Sequence, residues 1–202
     1  MQKIAAIFVL ALTTTSCLKE IQDTSGPLVV IPDTEWKQDE VYYDRSQSLW
    51  RTIKDSSEVS GRITFYFNEH AMAKEIPVFN GKKEGVQRTY FPNGQLKFEE
   101  SYSNNKLHGK VRRWGIEEGH QLLAELNYED GKLHGKQRKW YPSGELHKLL
   151  NLVAGKEDGM QKAFRKNGAL YANYEAKNGR VFGLKRANLC YELENEQVVY
   201  FQ

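Results

Sequence analysis

Six glycines set the frame of this chain: Gly61, Gly85, Gly109, Gly135, Gly159 and Gly183, separated by 24, 24, 26, 24 and 24 residues. A period of that length means that one small unit is copied along the chain, each copy burying a face against its neighbours. Five residues after each of the first five glycines stands an aromatic: Tyr66, Tyr90, Trp114, Trp140 and Phe164. In the second copy Val86–Phe91 is rich in strand formers, Pro92-Asn93-Gly94 is turn chemistry, and Leu96–Tyr102 is a second arm that ends at Asn104-Asn105. Strand, turn and strand make a β-hairpin, and a three-residue loop with glycine last fits a type I turn closed by a glycine bulge. Pro142-Ser143-Gly144 and Lys166-Asn167-Gly168 repeat that chemistry.

A second turn links each hairpin to the next. Gly81, Gly131, Gly155 and Gly179 lie four residues before the following anchor, with Asn105 in the equivalent place; asparagine tolerates the positive φ that glycine accepts. The longer interval places two extra residues between Trp114 and Leu122, beside Gly115 and Gly119, at a hairpin tip. The tip loop also predicts register: Phe91 opposite Gln95 and Tyr90 opposite Leu96. Each ring then shares a face with Met72, Leu96, Leu122, Leu146 or Leu170, and further along with Ile76, Leu126, Leu150 and Tyr174. Counting by alternation sends Thr89, Arg113 and Lys139, with Glu75, Glu99 and Glu125, to the opposite, solvated face. The expected fold is all-β: an elongated antiparallel β-meander of five tandem 24-residue hairpin repeats over residues 61–183.

Charge divides the chain. Residues 61–183 carry 21 Lys/Arg against 14 Asp/Glu, whereas 18–60 carry 5 against 9. A formal net charge of +3 with 27% charged residues describes a thin, polar-surfaced fold and does not call for nucleic acid. Residues 41–60, with Val41-Tyr42-Tyr43 and Leu49-Trp50, are read as an N-terminal capping hairpin, a short helix over residues 46–53 being the alternative. Leu189-Cys190-Tyr191 and Val198-Val199-Tyr200-Phe201 around Glu194-Asn195-Glu196 are read as a closing hairpin within 184–202 that covers the last edge strand.

The start of the chain reads as an address. Lys3, the apolar run Ile4–Leu12 and the small residues before Cys17 have the layout of a secretory signal peptide over residues 1–16, and the run is too short to span a bilayer. Small residues directly before Cys17 resemble the lipobox of bacterial lipoproteins, with Thr14 where that motif prefers leucine. The resemblance implies cleavage after Ser16 and a diacylglycerol on Cys17, hence a membrane contact through that lipid. Lys19-Glu20 looks like the export signal of Bacteroidetes surface lipoproteins, so the expected location is the cell envelope, at the outer membrane. Residues 17–40, with Pro27 and Pro32 and no periodicity, are read as a flexible tether. Cys190 is then left unpaired, as a small buried residue.

Anchor glycine, aromatic, Asn-Gly turn, leucine and Gly-Lys-x-x-Gly together resemble the MORN repeat. Its clearest copies run Gly131-Lys132-Leu133-His134-Gly135 through Trp140-Tyr141-Pro142-Ser143-Gly144-Glu145-Leu146. The variant is the 24-residue one of bacterial proteins labelled YwqK-type antitoxins. The resemblance implies a meander in which each hairpin pairs with the next, and a scaffold without catalysis that contacts protein or lipid.

Chemistry is sparse. His108 and His134 occupy one repeat position, and two strand spacings put them about 9–10 Å apart, too far to share a metal. No nucleophile motif, paired carboxylate or phosphate-binding loop stands out, so no catalytic residue, cofactor or metal is expected. The candidate surface is the row Arg88, Arg112, Arg138 and Lys162, each two residues before its ring, Tyr90, Trp114, Trp140 or Phe164. Such a row either forms a basic-aromatic ladder for an anionic surface or lets each cation cover its ring and reach water. The expected function is a non-enzymatic, lipid-anchored scaffold with a protein partner. The family label offers an antitoxin-like inhibitor of a toxin protein as the alternative, and an envelope glycan hydrolase is the third reading.

Overall fold

The computed structural model describes residues 29–116, 119–184, 191–194 and 197–200. The signal peptide, Cys17, the first part of the tether and Cys190 lie outside them. In chain order the strands are β1 Glu35–Lys37, β2 Val41–Asp44, β3 Leu49–Thr52, β4 Gly61–Asn68, β5 Ala71–Phe79, β6 Lys82–Lys83, β7 Gly85–Tyr90, β8 Leu96–Ser103, β9 Lys106–Trp114 and β10 Leu122–Glu129. There follow β11 Lys132–Leu133, β12 Gly135–Trp140, β13 Leu146–Val153, β14 Lys156–Glu157, β15 Gly159–Phe164, β16 Leu170–Lys177, β17 Arg180–Leu184, β18 Tyr191–Glu194 and β19 Gln197–Tyr200. The described residues contain no helix. One large sheet runs β1-β4-β5-β7-β8-β9-β10-β12-β13-β15-β16-β17, with β6, β11 and β14 pairing to the arm before them. Every neighbour in that path is antiparallel except β1, which joins β4 in parallel.

Both turns follow from local sequence. At the tips, the Phe91 N–H donates to Gln95 O and the Gly94 N–H to Phe91 O, and the same pair of bonds recurs at Tyr141 and Arg165. Between hairpins the loop is two residues long with both φ angles positive, as at Asn80-Gly81 (49° and 71°) and Asn104-Asn105 (51° and 66°). That is the primed turn whose twist matches the strands it joins.

The tip register is as expected, with Tyr90 opposite Leu96, but the next pair is Thr89 with Phe98. One residue of the second arm is left over. The same slip recurs in all five hairpins, at Ala73, Lys97, Leu123, His147 and Tyr171. A β-bulge adds one residue to one strand and so reverses the alternation beyond it. Glu75, Glu99 and Glu125 therefore lie opposite Arg88, Arg112 and Arg138, on the ring-bearing face. This corrects the solvated-face expectation for the three glutamates. It also moves Ile76, Leu126, Leu150 and Tyr174 to the other face, opposite Ile63, Val111, Gln137 and Gln161.

Residues 41–52 form a hairpin rather than a helix, and it lies over the sheet instead of extending its edge. Val41 is buried with Val59, Ile63, Ile76 and Val78, and Trp50 and Phe65 pack against this cluster. The Trp50 N–H donates to Gly81 O at 2.7 Å, and the Gly81 N–H donates to Val59 O at 2.7 Å. The edge itself is taken by β1, a segment read as tether: Trp36 packs on the cluster and its indole N–H donates to Ser60 O at 3.0 Å. Gly61 makes that approach feasible. Its φ is 133°, and a Cβ there would stand 2.3 Å from Thr34 O. At the other end β18 and β19 pair with each other as a separate two-stranded sheet.

Candidate binding face

One face of the sheet carries two rows of side chains. The first runs through Thr64, Glu75, Arg88, Glu99, Arg112, Glu125, Arg138, Leu149, Lys162 and Asn173, each opposite the next. Its middle is an alternating ion ladder. Arg88 bonds Glu75 at 2.9 Å and Glu99 at 3.2 Å; Arg112 bonds Glu99 at 2.9 Å and Glu125 at 3.2 Å; Arg138 bonds Glu125 at 2.9 Å. The glutamates are the more buried partners, at 12%, 20% and 16% side-chain exposure. Each carboxylate is shared between guanidiniums on either side, a geometry that suits the planar fork of arginine. Hydrogen bonding to Glu75 raises the Arg88 pKa against the opposing effect of burial. At Arg112 burial is the largest single influence and lowers the pKa, but the bonds to Glu99 and Glu125 outweigh it and the net shift is upward.

Glutamates hold Arg88 and Arg112 on both sides and Arg138 on one, so these guanidiniums form neither a free basic ladder nor covers for their own rings. The ladder stops where Leu149 takes the glutamate position, so Lys162 stands between Leu149 and Asn173.

The second row holds the expected rings. Tyr66, Tyr90, Trp114, Trp140 and Phe164 alternate with Met72, Leu96, Leu122, Leu146 and Leu170, one residue per strand. Tyr66 is 41% exposed and Leu170 46%, while Tyr90, Trp114, Trp140 and Phe164 are half-buried. The Tyr90 hydroxyl donates to Glu75 Oε1 at 3.2 Å, tying ring row to ladder. Burial, then the nearby Glu75 charge, raises its pKa. The longer tip of the third hairpin brings His120 against Trp114, nearly parallel at 6.0 Å between centroids. Met72 and Tyr90 line a cleft of about 430 Å³ between the first two tips, with His70, Pro92 and Asn93.

The opposite face contains residues that the sequence reading passed over. Gln87, Gln137 and Gln161, two positions after their anchors, are 3%, 1% and 0% exposed. Gln137 Oε1 accepts from the Asn127 N–H at 2.8 Å, and its Nε2 donates to Asn127 O and His134 O. Gln161 does the same for Asn151 N and O. These amides satisfy backbone groups where the ladder between hairpins lapses before β12 and β15. At Gln87 the equivalent backbone residue is Pro77, which has no N–H to give, and Gln87 Oε1 lacks a partner. Where Val111 replaces glutamine, β9 runs unbroken from Lys106 to Trp114. The recurrence of glutamine two residues after Gly85, Gly135 and Gly159 was the available signal.

The turn histidines pair with acids rather than with each other: His134 Nδ1 lies 2.9 Å from Glu129 and His108 Nδ1 3.9 Å from Asp130. Among the described residues no group of three His, Cys, Asp or Glu side chains could hold a metal ion.

A long antiparallel sheet of successive hairpins with this period is the architecture of MORN-type repeats. Residues 83–104 and 133–153 match the MORN repeat variant, each segment covering an anchor glycine, a ring, a tip and a second arm. Such repeats commonly serve as binding or scaffold modules and are generally without catalytic activity. No curated protein matches the chain.

Proposed function

We propose that this protein is a non-enzymatic scaffold, anchored to the bacterial outer membrane by a lipid on Cys17, that binds a partner along the ring-bearing face of its sheet. One observation carries the binding reading: five rings stand on one face, one per hairpin from β4 to β15, beside an ion ladder that crosses six successive strands of the sheet from β5 to β12. Repetition of that order presents one chemical motif several times over, which suits an extended partner. The matched MORN-type segments support the same reading. The anchoring reading rests on Lys3, the Ile4–Leu12 run and the small residues before Cys17; a doubly acylated cysteine holds a protein on a membrane stably.

Cells fed an alkyne-tagged fatty acid should label the wild-type protein and leave Cys17→Ala unlabelled; equal labelling of both would remove the anchor. Crosslinking in membranes, with a photoreactive residue at Leu146 or at Leu150, tests the face. Leu146 should give the adduct and Leu150, on the opposite face, should not.

A further inference from the structure

The bulge of the fourth hairpin gathers basic groups on the face opposite the rings. Lys139 of β12 and Lys148 of β13 stand directly opposite each other. His147, the residue left over beside them, stacks on Tyr141 at 4.4 Å between ring centroids. Like charges that face each other across a strand pair repel and cost stability. At the same place the other hairpins carry Phe65 with Lys74, Thr89 with Phe98, Arg113 with Ala124 and Ala163 with Ala172. Two facing cations are thus a property of this copy and not of the repeat. No acid is paired with them. Across the flanking strands stand methyl groups, Ala124 beside Lys139 and Ala163 beside Lys148, and the next positions on this face are Gln137 and Leu150. Among the described residues neither ammonium makes an ion pair or a hydrogen bond. Both charges reach His147: after burial, Lys148 and then Lys139 lower its pKa. Tyr171 Oη lies 3.5 Å from His147 Nε2. The tip of this hairpin adds one acid, the exposed Glu145, which Ser143 holds, and the next tip adds a further cation, Lys166, 6.0 Å from the Tyr141 ring. Beside Lys148 the sheet forms a shallow depression of about 420 Å³ over Ala163 and Ala172, bounded by Tyr171. Its acid, Glu157, accepts from the Tyr174 hydroxyl at 2.7 Å.

We infer that Lys139, Lys148 and His147 form a binding site for the dianion of a phosphate monoester, with the phosphate between the two ammonium groups and its organic substituent over the depression beside Lys148. Charge sets the class of ligand. A monoester carries about −1.5 to −2 at neutral pH, whereas a phosphodiester or a carboxylate carries a single negative charge. Only the dianion balances both lysines at once, and in doing so it removes the repulsion that the free protein bears. Ammonium groups are compact point charges with rotatable donors, which suits the several oxygens of a phosphate. The small side chains of Ala124 and Ala163 leave the approach open on either side. This site lies on the face opposite the rings and stands independently of the partner proposed for them.

Calorimetric titration of the full-length protein, at about pH 7.5 where a monoester is the dianion, compares methyl phosphate with dimethyl phosphate, two ligands that differ by one charge. Methyl phosphate should bind more tightly by about tenfold. Lys139→Gln and Lys148→Gln should each weaken it by about tenfold, while their melting temperatures hold or rise because each substitution removes the repulsion. Lys74→Gln, at the same row position in the first hairpin but facing Phe65, should leave binding unchanged. In proton NMR, saturating methyl phosphate should move the His147 titration upward in the wild type and leave it in place in Lys148→Gln. Equal binding of the two esters would overturn the inference, as would an equal loss in Lys74→Gln or a His147 titration that does not move. Phosphatidylglycerol vesicles that bind through Lys139 and Lys148 and are not displaced by methyl phosphate would overturn it too, since that headgroup is a singly charged diester.

Discussion

In the first hairpin, Ile63, Ile76 and Val78 form a dry cluster under Val41 and Trp50, at 0%, 2% and 0% exposure. Three repeats later the equivalent positions are Gln137, Leu150 and Leu152, which lie outside the cluster that Val41 and Trp50 join. The strands, turns and bulge are the same. What differs is how the interior of the face is closed. Where the β2–β3 hairpin lies above, branched aliphatics pack against it. Where the neighbouring backbone has a gap in its ladder, a flat amide folds over the gap and bonds its N–H and C=O groups. A repeat period thus fixes a backbone, and the company each copy keeps chooses its side chains.

That contrast can be broken first at its apolar end. Ile76→Ala should cost about 4 kcal/mol by urea unfolding, since it opens a cavity between two layers. Leu150→Ala, at the equivalent place in the fourth hairpin, should cost about half as much because that site is part-exposed. Equal losses would mean that the β2–β3 layer adds no core.

The glycines divide along the same line. Gly61→Ala brings a methyl group onto Thr34 O as well as forcing a non-glycine residue to positive φ, so it should cost about 3 kcal/mol and loosen β1. Gly135 has φ 73° and nothing within 4 Å of the added carbon. Gly135→Ala should cost about 1 kcal/mol, the conformational share alone. Hydrogen exchange at β1 separates the two effects.

At the amide end, Gln161→Leu should cost about 2 kcal/mol, because the Asn151 N–H and C=O lose their partner where water is excluded. Gln87→Leu should cost less than about 1 kcal/mol. Pro77 offers no N–H there, and the amide bonds only the Glu100 carboxylate.

A shallower dependence should appear with alkali. Burial is the leading cause that pushes Tyr102 and Tyr174 up to about 12; nearby acids add to it, Glu157 through a 2.7 Å hydrogen bond to Tyr174. Their folded-state values lie above the unfolded value of about 10, so the folded protein holds these protons longer. Stability should be unaffected by them below pH 10 and fall between pH 10 and 12. The Tyr102→Phe/Tyr174→Phe double variant should flatten that decline.

The smallest effect is a gain. Leu149→Glu would set a carboxylate between Arg138 and Lys162 and extend the ladder by a step, worth about 0.5 kcal/mol at low salt and less at high salt.

Much of the candidate face was legible before the fold was known. Period, tip loops and the Tyr90–Leu96 register could be read because turns are local, each set by three or four residues. The ring row followed from counting outward from those turns. The glutamates were misplaced because counting continued through a bulge that carries no local signature: Ala73, Lys97, Leu123, His147 and Tyr171 share no chemistry, size or propensity.

What the chain by itself determined, then, is the hairpin, its repetition and the five rings. Each depends on contacts within a turn or on alternation along an uninterrupted strand. Only the tertiary structure decided that Glu75, Glu99 and Glu125 neutralise the arginine row, that Trp36 closes the first edge and that β2–β3 lies over the sheet. The ladder depends on a one-residue slip selected by pairing across strands. The edge and the overlay depend on segments 20 to 60 residues distant, such as Trp36 with Ser60 and Asn105 with Ser48, meeting at surfaces that exist only once the sheet has formed.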